Sequence, residues 1–143
     1  MAKRAPTYIR KDFTLRVGRS ATGKGLFAEE SIPKGAYVIE YIGRPATEYE
    51  KKHDAGKYLF WTSDTEMING NIPANRARYI NHSCVPNCEA VGPKGRIFIR
   101  ALRNIKPGEE LSYDYGDEHF DKYIKPRGCK CRRCAPKTVS RNV

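Results

Sequence analysis

Residues 79–88, YINHSCVPNC, bring together an amide, an imidazole, a hydroxyl and two thiols, and CKCRRC at 129–134 adds three more thiols. Such residues can form a nucleophile with its base, a set of metal ligands, or a segment whose backbone cradles a cofactor. His82 and Cys84 are two apart and share one face of an extended strand, but no acid nearby would orient the imidazole. A cysteine-protease pair is therefore a poor fit. Three thiols from Cys129 to Cys134 can share a metal, and a closed tetrahedral zinc site needs a fourth ligand, which Cys84 or Cys88 must supply from far upstream. A loose, metal-free tail is the bland alternative. In ELSYDYG at 110–116, Tyr113 and Tyr115 share one strand face and Asp114 takes the other. Two such rings either pack a core rim or wall a channel around a cation, because ring faces attract ammonium groups. His53 and His119 read as structural.

GKGLFA at 23–28 fits the pattern G-x-G-x-x-A, but Pro33 and Gly35 break the helix that a dinucleotide site requires. The elements around these motifs read as short strands: FTLRV, GLFA, AYVIEYIG, YLFWT, EELSYDY, and a hairpin in CEAVGPKGRIFIRAL turning at Gly92-Pro93-Lys94-Gly95. Helix is scarce, with PATEYEKKHDAG giving two or three turns at most. AEESIPKGAYV and ALRNIKPGEEL each carry an isoleucine, a Pro/Lys/Gly turn and a strand, which two similar turns leading into strands explain.

A chain of 143 residues suits one domain. Its net charge of +11 is concentrated at the two ends, which read as a sticky, solvated surface open to nonspecific nucleic-acid contact. No apolar run approaches the roughly 20 residues that span a bilayer, and no signal peptide is evident, so an intracellular protein without membrane contact is expected. Crowded thiols suit a reducing compartment better than a disulfide framework.

Taken together, GKG, AYVIEYIG, YLF, NRARYINHSCVPNC, the Ile-Lys-Pro-Gly turn, GEELSYDYG and the terminal cysteines resemble, in order, the SET-domain protein-lysine methyltransferases, over about Phe13 to Cys134. The resemblance implies a mostly β fold of small curved sheets of the β-clip type, with few short helices and with the NHSC and YDY segments in a pseudoknot. It implies a basic N-terminal segment at 1–12, a SET domain at 13–117 and a post-SET zinc segment with a basic tail at 118–143. S-adenosylmethionine would meet Lys24, Gly25 and Leu26 through backbone, with Tyr58, Arg78, Asn81 and His82 completing its pocket. Zinc would be held by Cys84, Cys129, Cys131 and Cys134, leaving Cys88 to the core or as a spare thiol. CKCRRC is two residues shorter than the usual C-x-C-x4-C cluster, so its zinc loop must be tighter.

The implied reaction is methyl transfer from a sulfonium to a lysine ε-nitrogen. Only the neutral amine attacks, and at pH 7 about one lysine in a few thousand is neutral. A dry channel beside a positive sulfonium favours that form. By resemblance Tyr115 is the catalytic tyrosine, Tyr58 lines the channel, and Tyr113 sits where a hydroxyl limits the product mainly to monomethyl-lysine. The expected partner is a protein lysine on a histone tail or another basic protein. Asp114, Asp117, Glu118 and Asp121 would give that peptide an acidic lining. The location would be chromatin in a eukaryote or cytoplasm in a bacterium. The competing expectations are a SET-fold binding module without turnover and a zinc-containing nucleic-acid-binding protein.

Overall fold

The computed structural model describes residues 13–21, 23–53, 57–92 and 95–115. Within them the chain makes four small sheets. β1 (Leu15–Ser20) and β2 (Gly23–Ala28) form an antiparallel hairpin with Leu15 opposite Ala28 and Ser20 opposite Gly23. Gly23 leaves the turn at φ 118°, a left-handed conformation that glycine adopts without a steric cost. β3 (Tyr37–Tyr41), β8 (Cys88–Val91) and β9 (Ile97–Ala101) form an antiparallel sheet in the order β3-β9-β8. The expected hairpin is present, while its turn residues 93–94 lie outside the described residues. β4 (Arg44–Pro45), β5 (Leu59–Trp61) and β6 (Met67–Asn69) form a third sheet with β6 in the middle.

The expected helix is a short one, α1 (Glu48–His53). Its start is a reciprocal cap: Thr47 Oγ1 accepts the Glu50 N–H at 3.0 Å and Glu50 Oε1 accepts the Thr47 N–H at 2.9 Å. Arg44 and Asn69 also donate to the Glu50 carboxylate, fastening the helix to the third sheet. A 3-10 turn, η1 (Arg76–Tyr79), leads into β7 (Asn81–His82).

β7 pairs in parallel with β10 (Ser112–Tyr113), with Asn81 opposite Ser112 and His82 opposite Tyr113. The NHSC and YDY segments thus lie side by side, as the resemblance implied. The two similar turns also meet: Ile32 and Ile105 exchange backbone hydrogen bonds at 2.8 and 2.9 Å, and each is followed by a positive-φ glycine, Gly35 and Gly108. One apolar core runs beneath all of this, with Leu26, Ile32, Ile80, Ile99, Ile105 and Leu111 fully buried. Leu26 and Leu111 join it from the two segments that flank the site, so core packing and site assembly share the same backbone.

Candidate active site

The β7–β10 pair is too short to hold itself by ladder bonds, and side chains do much of that work. Asn87, 3% exposed, accepts the Ser112 N–H on Oδ1 at 2.9 Å and donates Nδ2 to the Glu110 carbonyl at 2.9 Å. Its own N–H reaches Ser112 Oγ at 3.3 Å. One buried amide thus ties the 84–88 loop to residues 110–112, its Oδ1 accepting and its Nδ2 donating. Ser83 N–H adds a bond to the Tyr113 carbonyl at 3.1 Å.

His82 orients the strand end. Tyr115 N–H donates to His82 Nδ1 at 3.1 Å, so Nδ1 carries the lone pair and the ring proton sits on Nε2. Nε2 faces Cys84 Sγ at 3.4 Å, although Cys84 lies in the bend after β7 and not on the strand. Asp114 Oδ1 lies 3.8 Å from the same Nδ1 and its side chain is largely exposed. The other acids expected to line a peptide path, Asp117, Glu118 and Asp121, fall outside the described residues.

Tyr113 and Tyr115 stand with ring centroids 4.8 Å apart, Tyr113 on β10 and Tyr115 just beyond its end. Phe60 packs 6.2 Å from Tyr113 and Tyr41 packs edge-on to Phe60 at 4.6 Å, so an aromatic wall runs from β3 through β5 to β10. Tyr41 donates its hydroxyl to the Tyr58 carbonyl at 3.1 Å and fixes the backbone that carries Tyr58. The Tyr115 hydroxyl donates to the Ile80 carbonyl in a short bond. Burial first, then the nearness of Tyr58 and Glu110, pushes the Tyr115 phenol well above its usual range. Burial does the same for Tyr113 and Tyr41. These phenols therefore stay neutral at physiological pH. Among the described residues the buried Tyr113 hydroxyl makes no hydrogen bond, unlike that of Tyr115.

The expected donor-binding residues fall into two groups. Lys24, Gly25 and Leu26 on β2 lie against β7 and the 110–111 segment: Asn81 Nδ2 donates to the Lys24 carbonyl at 2.9 Å, and Leu111 N–H donates to the Leu26 carbonyl at 2.8 Å. Gly25 leaves room for the end of Glu110, since a Cβ there would stand 2.4 Å from Glu110 Oε2. Arg78 instead spends its donors nearby, on the Ile72 carbonyl at 2.8 Å and the Tyr79 hydroxyl at 2.6 Å. Its guanidinium and the Lys24 ammonium both lie over the Tyr79 ring, at 4.4 and 5.4 Å.

Of the expected zinc ligands only Cys84 is described; Cys129, Cys131 and Cys134 lie outside the described residues, among which no group of three or more metal-ligating side chains occurs. Cys88 is fully buried, and burial pushes its thiol up to about 12, so it packs as a core residue. Sequence reasoning passed over Tyr41, Asn87 and Glu110. Tyr41 could have been found from the alternation of AYVIEYIG, whereas nothing in the spacing of Asn87 or Glu110 marks them.

With this geometry in place, the comparisons with known proteins are decisive. A SET-domain family model matches residues 23–116. The chain belongs to the SET-domain family. It is 40% identical over 132 residues to histone-lysine N-methyltransferase 2B of Homo sapiens, covering 82% of this chain and 5% of that protein. It is 40% identical over 123 residues to histone-lysine N-methyltransferase set1 of Dictyostelium discoideum, covering 77% of this chain and 8% of that protein. It is 38% identical over 125 residues to histone-lysine N-methyltransferase trithorax of Drosophila virilis, covering 78% of this chain and 3% of that protein. The chain therefore corresponds to one segment of these much longer relatives. No helix among the described residues is long and apolar enough to cross a membrane.

Proposed function

We propose that this SET domain is an S-adenosylmethionine-dependent protein-lysine methyltransferase that acts on a histone or histone-like basic protein and adds mainly one methyl group. The observation that carries the reading is the joining of β7 to β10. It sets Tyr115, through His82 and Ile80, beside the aromatic wall of Tyr41, Phe60 and Tyr113. The names of the relatives support a histone substrate, and thereby a chromatin location in a eukaryotic cell.

The residues fit the donor. The β2 segment, Asn81 and the Glu110 carboxylate offer acceptors and one negative charge to a molecule with a sulfonium and an ammonium. When bound, S-adenosylmethionine supplies an electrophilic methyl group on a positive sulfur. The aromatic wall keeps water from the lysine and favours its neutral amine. Tyr115, neutral and with its proton committed to Ile80, turns its oxygen lone pairs to the amine and holds it in line for attack. Tyr113 keeps an uncommitted buried hydroxyl, suited to hold a water or an amine proton that would otherwise leave room for further methyls.

Zinc belongs to the same proposal, with Cys84 joined by Cys129, Cys131 and Cys134. The His82 N–H on the Cys84 sulfur suits a ligating thiolate. Division of the chain into a basic segment at 1–12, a SET domain at 13–117 and a zinc-binding segment with a tail at 118–143 completes it.

The test incubates zinc-replete protein with tritiated donor and a panel of histones and basic proteins, beside Tyr115→Phe. Label on lysine is expected, reduced at least about a hundredfold in the variant. Tandem mass spectrometry should find mostly monomethyl-lysine; abundant trimethyl-lysine contradicts the assignment of Tyr113. Donor binding without transfer to any substrate would leave a binding module instead.

A further inference from the structure

Glu110 carries a charge that the fold itself does not use. Among the described residues its carboxylate makes no ion pair, although the chain is strongly basic; its one polar contact is the Asn81 Nδ2 at 2.9 Å. It is partly buried in the angle between β2 and β7, over the face of Gly25 that a side chain would fill.

The surroundings of Asn81 decide which way its amide faces. Nδ2 lies 2.9 Å from the Lys24 carbonyl, 2.9 Å from Glu110 Oε2 and 3.0 Å from Ser20 Oγ. A carbonyl and an ionised carboxylate only accept, so nitrogen must face them and the alternative flip would set oxygen against oxygen. Both N–H hydrogens are consumed there, and among the described residues no donor reaches Asn81 Oδ1.

We propose that Glu110 is a positioning residue for the methyl donor: its carboxylate holds the Asn81 amide so that Oδ1 accepts a hydrogen bond from the donor's α-ammonium. An acceptor oxygen beside an anionic carboxylate selects a cationic N–H group. In S-adenosylmethionine the ammonium is the only one, since the sulfonium carries no hydrogen to donate. A glutamine at 110 removes the selection because it cancels the charge, while the Lys24 carbonyl still holds Asn81 Nδ2. The inference rests on the methyltransferase reading above, because it assumes that the donor binds here.

The test measures equilibrium binding of three ligands by calorimetry to the wild type, Glu110→Gln and Glu110→Asp. S-adenosylmethionine has both the sulfonium and the ammonium, S-adenosylhomocysteine keeps only the ammonium, and methylthioadenosine has neither. Glu110→Gln should weaken the first two by about tenfold or more, the scale of a charge-assisted hydrogen bond, and leave the third unchanged. Glu110→Asp, which keeps an acceptor-only group, should recover part of the loss. Glutamine is nearly isosteric, and thermal melts matched to the wild type exclude a folding defect. Unchanged affinities, equal loss for all three ligands, or loss confined to S-adenosylmethionine would each overturn the inference while leaving the methyltransferase reading in place. A wild type that binds none of the three removes that reading and the inference with it.

Discussion

The β3-β9-β8 sheet and the β7–β10 pair hold together by different physics. The sheet rests on apolar side chains: Val38, Ile97, Ile99 and Ala101 are buried in one core, and its strands pair over four or more residues. The pair is two residues long and rests on polar ties, with Asn87, His82 and Asn81 bonding across it or to segments beside it. Apolar burial is nondirectional and tolerates small shifts, whereas a hydrogen bond to one atom fixes a position. The larger sheet is built from the first, and the pair that leads to Tyr115 is built from the second.

This contrast can be broken by substitution. Ile99→Ala in the sheet should have the largest effect on folding, about 4 kcal/mol by urea denaturation, because it empties a fully buried site. The fraction that remains folded should bind donor normally. Asn87→Ala should cost less, about 2–3 kcal/mol, because it strands the Ser112 N–H and the Glu110 carbonyl. It should nevertheless abolish most donor binding, since residues 110–112 lose their tie to the loop that follows β7. If Asn87→Ala bound donor as well as the wild type, the division of labour would be wrong.

Gly25→Ala sharpens the comparison within the site. The backbone there needs no left-handed angle, and the new methyl meets first the movable end of Glu110 and then Ser20 Cβ at 3.0 Å. Stability should fall by under about 1 kcal/mol. Donor affinity should fall by about tenfold, because the displaced carboxylate releases Asn81.

The smallest effect belongs to Glu50, which fastens α1 to the third sheet. The Arg44 guanidinium, then the Thr47 N–H and Asn69, lower its carboxyl to about 2. A depressed carboxylate adds stability above its unfolded value near 4.3, and loses it as pH falls through the folded value. The melting temperature of Glu50→Gln should thus lie slightly below that of the wild type at pH 5–7. The gap should close as pH drops from about 4 towards 2, with activity at pH 7 unchanged.

The same contrast explains what the sequence disclosed. β3, β5 and β9 carry enough aromatic and branched residues to be legible, and the motif order identified the fold. β4, β6 and β7 were not legible, because strands such as Arg44–Pro45 and Asn81–His82 exist only through partners elsewhere in the chain. Of EELSYDY only Ser112–Tyr113 is strand, since its remaining residues bond β2 and side chains rather than a continuous neighbour. The tyrosine pair was visible from spacing alone. Asn87 and Glu110 were not, because an isolated amide or carboxylate has no periodicity and takes its meaning from segments more than twenty residues away.

The most direct test of the account is a titration of the ¹⁵N-labelled protein with S-adenosylmethionine, followed by amide chemical shifts. The account predicts a saturable set of shifts in residues 23–26, 58, 78–82 and 110–115, with the β3-β9-β8 sheet almost still. No saturable shifts, or shifts confined to another part of the chain, would contradict it.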